Sequence, residues 1–122
     1  MSKQAFKNNV IIMRNGALGD FVLTLPVFQS VQDYYTNHTL YAIGNPTNCT
    51  LLTKSWNIID TESRDWFGLY SDGILPSSVE NLLKRTTLML IYGAPSGSFF
   101  KNIKKILGKK ALFFDPHPPI NY

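Results

Sequence analysis

The stretch VIIMRNGALGDFVLTLP (residues 10–26) decides the fold. It opens on an apolar, β-branched run without polar alternation, which is typical of a strand buried on both faces of a parallel sheet. A short polar loop with two glycines follows, ends on Asp20, and gives way at once to apolar residues. We therefore expect residues 10–13 to form the central strand of a parallel sheet.

A helix is predicted directly after this loop. The apolar residues that recur at spacings of three and four are Leu25, Phe28, Val31 and Tyr35. Pro26 fits the first turn of such a helix, with Thr24 as its N-cap. Alternatively, Pro26 kinks a longer helix that begins near Asp20. The sequence leaves both alternatives open.

Four more segments have the composition of strands. They are residues 39–44, 56–60, 87–93 and 111–114. Residues 61–76 are polar, aromatic and irregular, and we expect a loop there with one more short strand around residues 66–70.

Helices are predicted between these strands. The Asn45-Pro46 pair starts a short one, and Ser77 with Glu80 forms a capping box for another over residues 77–85. Ser96 or Ser98 caps the last predicted helix, which precedes the strand at residues 111–114. Its apolar stripe is Phe99, Ile103, Ile106 and Leu107, and Gly108 ends it. Strands that alternate with helices predict an α/β fold with a doubly wound parallel sheet.

Length and composition indicate one domain over residues 1–122. The chain has 122 residues, of which 44% are hydrophobic, enough to bury a single core. It has no apolar run of about 18 residues, and its first residues are polar, so we expect a cytoplasmic protein. The single cysteine, Cys49, has no second thiol for a disulfide, and we expect it to be buried or half-buried.

The loop before the first helix is the candidate functional site. In a doubly wound sheet, ligands bind at the carboxyl ends of the strands, where this loop lies. Gly16 and Gly19 suit unusual backbone angles or a close approach of ligand, but the spacing matches neither the dinucleotide motif nor the P-loop. Asp20 near a helix N-terminus is favoured as a carboxylate, and it serves either as a helix cap or as a proton acceptor.

The segment IIMRNGALGDFVLTLPVFQSVQ (residues 11–32) resembles the opening of glycosyltransferase family 9, the ADP-heptose:lipopolysaccharide heptosyltransferases. Members of that family begin with a strand, a small-residue loop that ends in Gly-Asp, and a Thr-x-Pro helix. The close likeness covers about twenty residues. The remainder of the chain agrees in the order of its strands and helices.

The resemblance implies a Rossmann-like domain that forms the acceptor-binding half of a GT-B enzyme. It implies that Asp20 is the catalytic base, which deprotonates the acceptor hydroxyl that attacks the donor with inversion. The implied acceptor is a lipopolysaccharide core or another glycan. The residues of the implied ligand loop are Arg14, Asn15, Gly16, Ala17, Leu18 and Gly19.

In the family, a second Rossmann-like half holds most of the nucleotide-sugar donor, and 122 residues are too few to contain both halves. We therefore expect the donor to bind only through a C-terminal half that is absent from this sequence, so no donor residue is assigned. We expect no cofactor, no metal and no nucleic-acid partner.

The formal net charge of +4 permits an anionic partner, and five lysines lie within residues 101–110. Lys101, Lys104 and Lys105 fall opposite the apolar stripe of the last helix. They form a solvated face, which is the commoner use, or a peripheral contact with anionic lipid or lipopolysaccharide phosphates at the inner membrane face.

The histidines and the aromatic residues are weaker candidates. His38 and His117 lie far apart in sequence, and His117 is either a turn residue or a contact with the acceptor. The aromatic residues Trp56, Trp66, Phe67 and Tyr70 form a sugar-stacking surface or, more commonly, anchor the core and the loop.

Two other functions compete with the glycosyltransferase hypothesis. One is a non-catalytic Rossmann-like binding or scaffolding module. The other is a receiver-like signalling domain, which expects paired acids after the first strand. Arg14 and Asn15 occupy those positions, which argues against a receiver.

Overall fold

The computed structural model describes residues 7–70 and 74–114 and confirms the α/β fold. Its five strands form one sheet in which all neighbours are parallel. The strands are β1 (Asn9–Arg14), β2 (Thr39–Gly44), β3 (Trp56–Asp60), β4 (Thr86–Tyr92) and β5 (Ala111–Phe114). All five predicted strands of this sheet are thus confirmed to within a residue or two.

The strand order is β3-β2-β1-β4-β5, so β1 is the central strand, as its unbroken apolar run predicts. All six residues of β1 are buried. Its last residue, Arg14, pairs with Gly44 of β2 on one side and with Tyr92 of β4 on the other. Gly44 is required there, because a Cβ at this position would lie 2.7 Å from the carbonyl oxygen of Arg14.

Helices cover both faces of the sheet. The α-helices are α1 (Leu18–Tyr34), α2 (Pro46–Cys49), α3 (Ser77–Lys84) and α4 (Gly97–Leu107). Helices α1 and α2 pack with Val10 and Ile12 of β1 on one face. Helices α3 and α4 pack with Ile11 and Met13 on the other. Alternate residues of β1 thus contribute to two separate cores, which is the Rossmann-like, doubly wound arrangement.

Helix α1 settles the two alternatives for Pro26. The helix begins at Leu18 and continues through Pro26, so the longer helix is correct. Ala17 occupies the N-cap position, and Thr24 donates its hydroxyl to the carbonyl oxygen of Asp20 at 3.0 Å instead of capping a helix. The buried side of α1 consists of Phe21, Thr24, Phe28 and Val31.

The strand predicted around residues 66–70 is wrong, because Arg64–Tyr70 forms a 3₁₀ helix. Trp66 and Leu69 lie three residues apart, which places them on the same side of a helix with three residues per turn. Both side chains are buried in the core beneath α4. The amide of Asn102 in α4 donates to the carbonyl oxygen of Leu69 at 2.8 Å and fixes this segment.

The capping box at α3 is also wrong. Pro76 is the N-cap, so Ser77 is already the first helical residue and its hydroxyl makes no cap. The carbonyl oxygen of Pro76 accepts hydrogen bonds from the amides of Val79 and Glu80. Glu80 instead lies 3.7 Å from Lys84, one turn along the helix.

The start of α2 and both ends of α4 lie close to the predicted residues. The Asn45 side chain caps α2 by accepting hydrogen bonds from the amides of Thr47 and Asn48. Ser96 is at the N-cap position of α4, although its hydroxyl makes no cap, and Gly108 ends that helix with a positive φ of 57°. No helix in residues 7–70 and 74–114 is long and apolar enough to cross a membrane.

Candidate functional site

The candidate site lies where the chain reverses direction across the sheet. From β1 the chain continues through α1 to β2, whereas β4, on the other side of β1, is followed by α4 and then β5. The carboxyl ends of β1 and β4 therefore flank a crevice at the topological switch point, the usual ligand position in open α/β sheets. Arg14 and Tyr92 are the last residues of these two strands.

The loop between β1 and α1 is fixed by neighbouring elements. Gly16 has a φ of 111°, a backbone angle that residues with a side chain rarely adopt. The Asn48 amide of α2 donates to the carbonyl oxygen of Gly16 at 3.2 Å. The Thr61 hydroxyl, just after β3, donates to the Asn15 side chain at 2.5 Å. The loop thus has a defined shape although every residue from 15 to 20 is exposed.

Asp20 is the third residue of α1 and does not occupy its N-cap position, since Ala17 does. Its side chain is 50% exposed. The carboxylate lies close to the bare backbone of Gly16, where a Cβ would come within 3.5 Å of Oδ2. Within the described residues, no hydrogen bond reaches this half-exposed carboxylate, so its hydrogen-bonding capacity is left for a ligand.

Arg14 is 8% exposed although it carries a charge. Its guanidinium carbon lies 5.0 Å from the centre of the Tyr92 ring, a cation–π contact. Nη2 lies 3.9 Å from Oδ1 of Asp20, which is an ion pair but too long for a hydrogen bond. Nε is buried and has no hydrogen-bond partner among the described residues.

Tyr92 is half-buried beside this charge. Burial raises the pKa of its phenol, and the positive charge of Arg14 offsets part of that rise. The ring also packs against Phe114 of β5, with 5.4 Å between the ring centres. Tyr92 therefore holds the guanidinium from one side while the first turn of α1 approaches it from another.

The other side of the same sheet edge carries a cavity of about 380 Å³. It is lined by residues that include Asn15, Gly93, Ser96, Ser98 and Phe99. The N-terminus of α4 faces this cavity. The loop after β1 thus borders open space toward α4 as well as toward α1.

The three lysines predicted to share one face are in different environments. Lys101 and Lys105 are exposed. Lys104 is half-buried, and its ammonium donates to the carbonyl oxygens of Gly108 and Ala111 at 3.3 and 2.7 Å. Lys104 therefore stabilises the end of α4 and the start of β5.

The aromatic residues are separated by the sheet. Trp56 packs edge-on against Phe28 on the α1 face, and Trp66 is buried on the α4 face. Tyr70 stacks on Phe99 with 4.8 Å between the ring centres. The commoner interpretation, anchoring of core and loop, is thus correct for both tryptophans. The Phe67 side chain lies outside the described parts of the structure.

His38 and Cys49 lie away from the candidate site. The His38 ring shares a hydrogen bond with the Thr87 hydroxyl at 3.1 Å, beneath β4 at the amino end of the sheet. Cys49 is buried, as expected, and burial raises the pKa of its thiol. His117 lies outside the described residues. Over residues 7–70 and 74–114, no three His, Cys, Asp or Glu side chains are grouped to hold a metal ion.

Sequence reasoning missed three residues of the site. They belong to distant parts of the sequence, and only the folding of the sheet brings them to the site: Tyr92, Asn48 and Thr61. Tyr92 lies near the end of the strand predicted over residues 87–93, but its place beside Arg14 depends on the strand order, which the sequence does not give. Asn48 and Thr61 carry no local signal.

No protein-family model, curated protein or solved structure matches this chain. The functional proposal therefore rests on the geometry of the site and on the resemblance of residues 11–32.

Proposed function

We propose that this domain is the acceptor-binding half of an inverting glycosyltransferase of the heptosyltransferase kind. The acceptor is a lipopolysaccharide core or a related glycan, and Asp20 is the base. The observation that carries the proposal is the position of the Asp20 carboxylate. It is half-exposed at the carboxyl edge of the central strand, beside the bare Gly16 backbone and outside the N-cap position.

A base in this reaction needs a free carboxylate oxygen within hydrogen-bond reach of the acceptor hydroxyl. Asp20 accepts the hydroxyl proton as the acceptor oxygen forms its bond to the anomeric carbon of the donor. The bond from that carbon to the nucleotide diphosphate breaks on the opposite side of the sugar, which inverts the configuration. Gly16 permits close approach because it has no side chain beside Oδ2.

The fixed loop supports the same proposal. Asn48 holds the carbonyl oxygen of Gly16 and Thr61 holds the side chain of Asn15, so the loop before Asp20 has a defined conformation. Positioning of reacting groups contributes a large part of enzymatic rate enhancement.

The donor is assigned to a second Rossmann-like half, as in the family that residues 11–32 resemble. In this proposal the crevice at β1 and β4 forms one wall of the cleft, and the donor-binding half forms the other. No residue of this chain is assigned to the nucleotide.

We also propose a peripheral contact with an anionic membrane surface through Lys101 and Lys105. Both are exposed on α4. Lys104 is excluded from this contact because its ammonium is already bonded to two carbonyl oxygens. A cytoplasmic enzyme acting on a lipid-linked acceptor would benefit from such a contact, which anionic lipid favours electrostatically.

Acceptor binding to the 122-residue protein tests the proposal. A lipopolysaccharide-core oligosaccharide is titrated into ¹⁵N-labelled protein, and amide shifts are recorded. We expect saturable shifts at residues 15–20. The control variant is Asp33→Asn, which changes an exposed acid near the other end of α1. It should bind the oligosaccharide as the parent protein does. Shifts that do not saturate, or that avoid residues 15–20, would contradict an acceptor site at this loop.

A further inference from the structure

We propose that the edge of β1 also binds an oxyanion, the carboxylate or phosphate group of a ligand, between the Arg14 guanidinium and the N-terminus of α1. This site does not depend on glycosyl transfer. It follows from a buried cation whose Nε makes no hydrogen bond within the described residues and from the uncapped N-terminus of α1, whose third residue, Asp20, lies 3.9 Å from the same guanidinium.

Arg14 is a permanent cation with five N–H donors in a planar fork. It is 8% exposed, and its Nε has no partner among the described residues. Asp20, the one acid within 4 Å of it among the described residues, is too distant to accept a hydrogen bond, at 3.9 Å from Nη2. A buried donor without an acceptor is unfavourable, so the guanidinium is suited to a second anionic partner.

The N-terminus of α1 contributes the second half of the site. The first amide of the helix with an intrahelical bond is that of Phe21, which donates to the carbonyl oxygen of Ala17. The amides before it have no intrahelical acceptor, and no side chain caps them. Gly19 has open space where a Cβ would be, so an anion can approach these amides closely. The dipole of a 17-residue helix favours negative charge here.

Tyr92 orients the guanidinium for an anionic group that can accept two parallel hydrogen bonds. Its ring centre lies 5.0 Å from the guanidinium carbon, and a guanidinium that stacks on a ring keeps the N–H donors of its edge for hydrogen bonds. Carboxylate and phosphate oxygens match that edge. Asp20 opposes the anion because its negatively charged carboxylate lies 3.9 Å from Nη2 of the same guanidinium. Removal of the Asp20 charge should therefore strengthen binding at this site.

Inorganic phosphate and acetate are the probes, each titrated into the full ¹⁵N-labelled protein at constant ionic strength. We expect saturable shifts at the Arg14 Nε–H and the amides of residues 17–19 with at least one anion. Phosphate alone indicates a phosphorylated ligand, and acetate alone indicates a carboxylate. Binding should weaken by at least about tenfold in Arg14→Met and tighten by about threefold or more in Asp20→Asn.

Lys54→Met is the matched control, because Lys54 is an exposed cation at the turn before β3 and its loss changes the net charge equally. Its binding constant should stay within about twofold of the parent. Equal weakening in Lys54→Met and Arg14→Met, or no saturable shift with either anion, would overturn the proposal. If Arg14→Met fails to fold, Asp20→Asn decides alone. Anion binding by Asp20→Asn that is unchanged or weaker than that of the parent overturns the proposal.

Discussion

The Arg14 guanidinium lies over the Tyr92 ring, and the same two residues are backbone partners at the ends of β1 and β4. The parallel register therefore aligns the cation with the ring before any ligand is present. Because both strands are held in the sheet along their length, the backbones of the two residues cannot separate without local unfolding. This pair fixes one side of the crevice in which Asp20 lies.

Replacement of Tyr92 separates the effect of its ring from that of its hydroxyl. Tyr92→Phe keeps the ring beneath Arg14 and should change the free energy of unfolding by less than about 0.5 kcal/mol. Tyr92→Leu removes the cation–π contact and should destabilise the protein by about 1–2 kcal/mol. Urea unfolding measures both. Equal effects of the two substitutions would show that the ring does not stabilise Arg14.

Gly16 in the loop and Gly19 in the first turn of α1 should respond in opposite directions to alanine. Gly16 has a φ of 111°, so Gly16→Ala should cost about 1–3 kcal/mol of unfolding free energy. Gly19 is helical and has open space at its Cβ position, so Gly19→Ala should stabilise the protein by about 0.5–1 kcal/mol. Thermal unfolding of both variants checks this. A neutral Gly16→Ala would mean that the loop is not held in this conformation.

Stability should fall in alkaline solution, because burial raises the pKa of Cys49, Tyr70 and Tyr92. A raised pKa in the folded state means that the unfolded state loses these protons first. The stabilisation is complete below the ordinary thiol value of 9.0 and is lost as the pH rises above it. Urea unfolding from about pH 7 to about pH 10 measures the fall. Cys49→Ala should flatten its first part, and an identical profile in that variant would exclude the thiol as a cause.

The sequence predicts the sheet well because β1 is apolar without alternation, which requires cover on both faces. Local composition likewise identifies the cap at Asn45 and the helix end at Gly108. The 3₁₀ helix at Arg64–Tyr70 could not be predicted in this way. Trp66 and Leu69 have strand-like composition, and their conformation is decided by α4, which lies more than 25 residues further along the chain.

The candidate site was only partly predictable for a related reason. The segment from Arg14 to Asp20 is contiguous in the sequence, so its glycines and its acid could be identified directly. The depth of Arg14 could not, because the residues around it come from β4 and α1. Likewise, the separation of Lys104 from Lys101 and Lys105 depends on where the carbonyl oxygens of Gly108 and Ala111 lie.

The 122-residue domain by itself should bind acceptor without transferring sugar, because the proposal assigns the donor to a second half. Incubation with a nucleotide-heptose and a lipopolysaccharide-core acceptor should release no nucleotide above the rate without protein. Release that depends on both substrates would contradict the assignment of the donor to another domain.

The most direct test of Asp20 as the base is the transfer rate of an active hybrid enzyme, in which this domain replaces the acceptor-side half of a heptosyltransferase. Asp20→Asn keeps the shape but removes the proton acceptor, and the rate should fall by about a hundredfold to ten-thousandfold. Unfolding free energy should change by less than about 1 kcal/mol, since Asp20 is half-exposed and outside the N-cap position. Asp33→Asn should keep the rate within about twofold. Undiminished transfer by Asp20→Asn, together with a lower melting temperature of Asp20→Ala, would show that the residue only stabilises its helix.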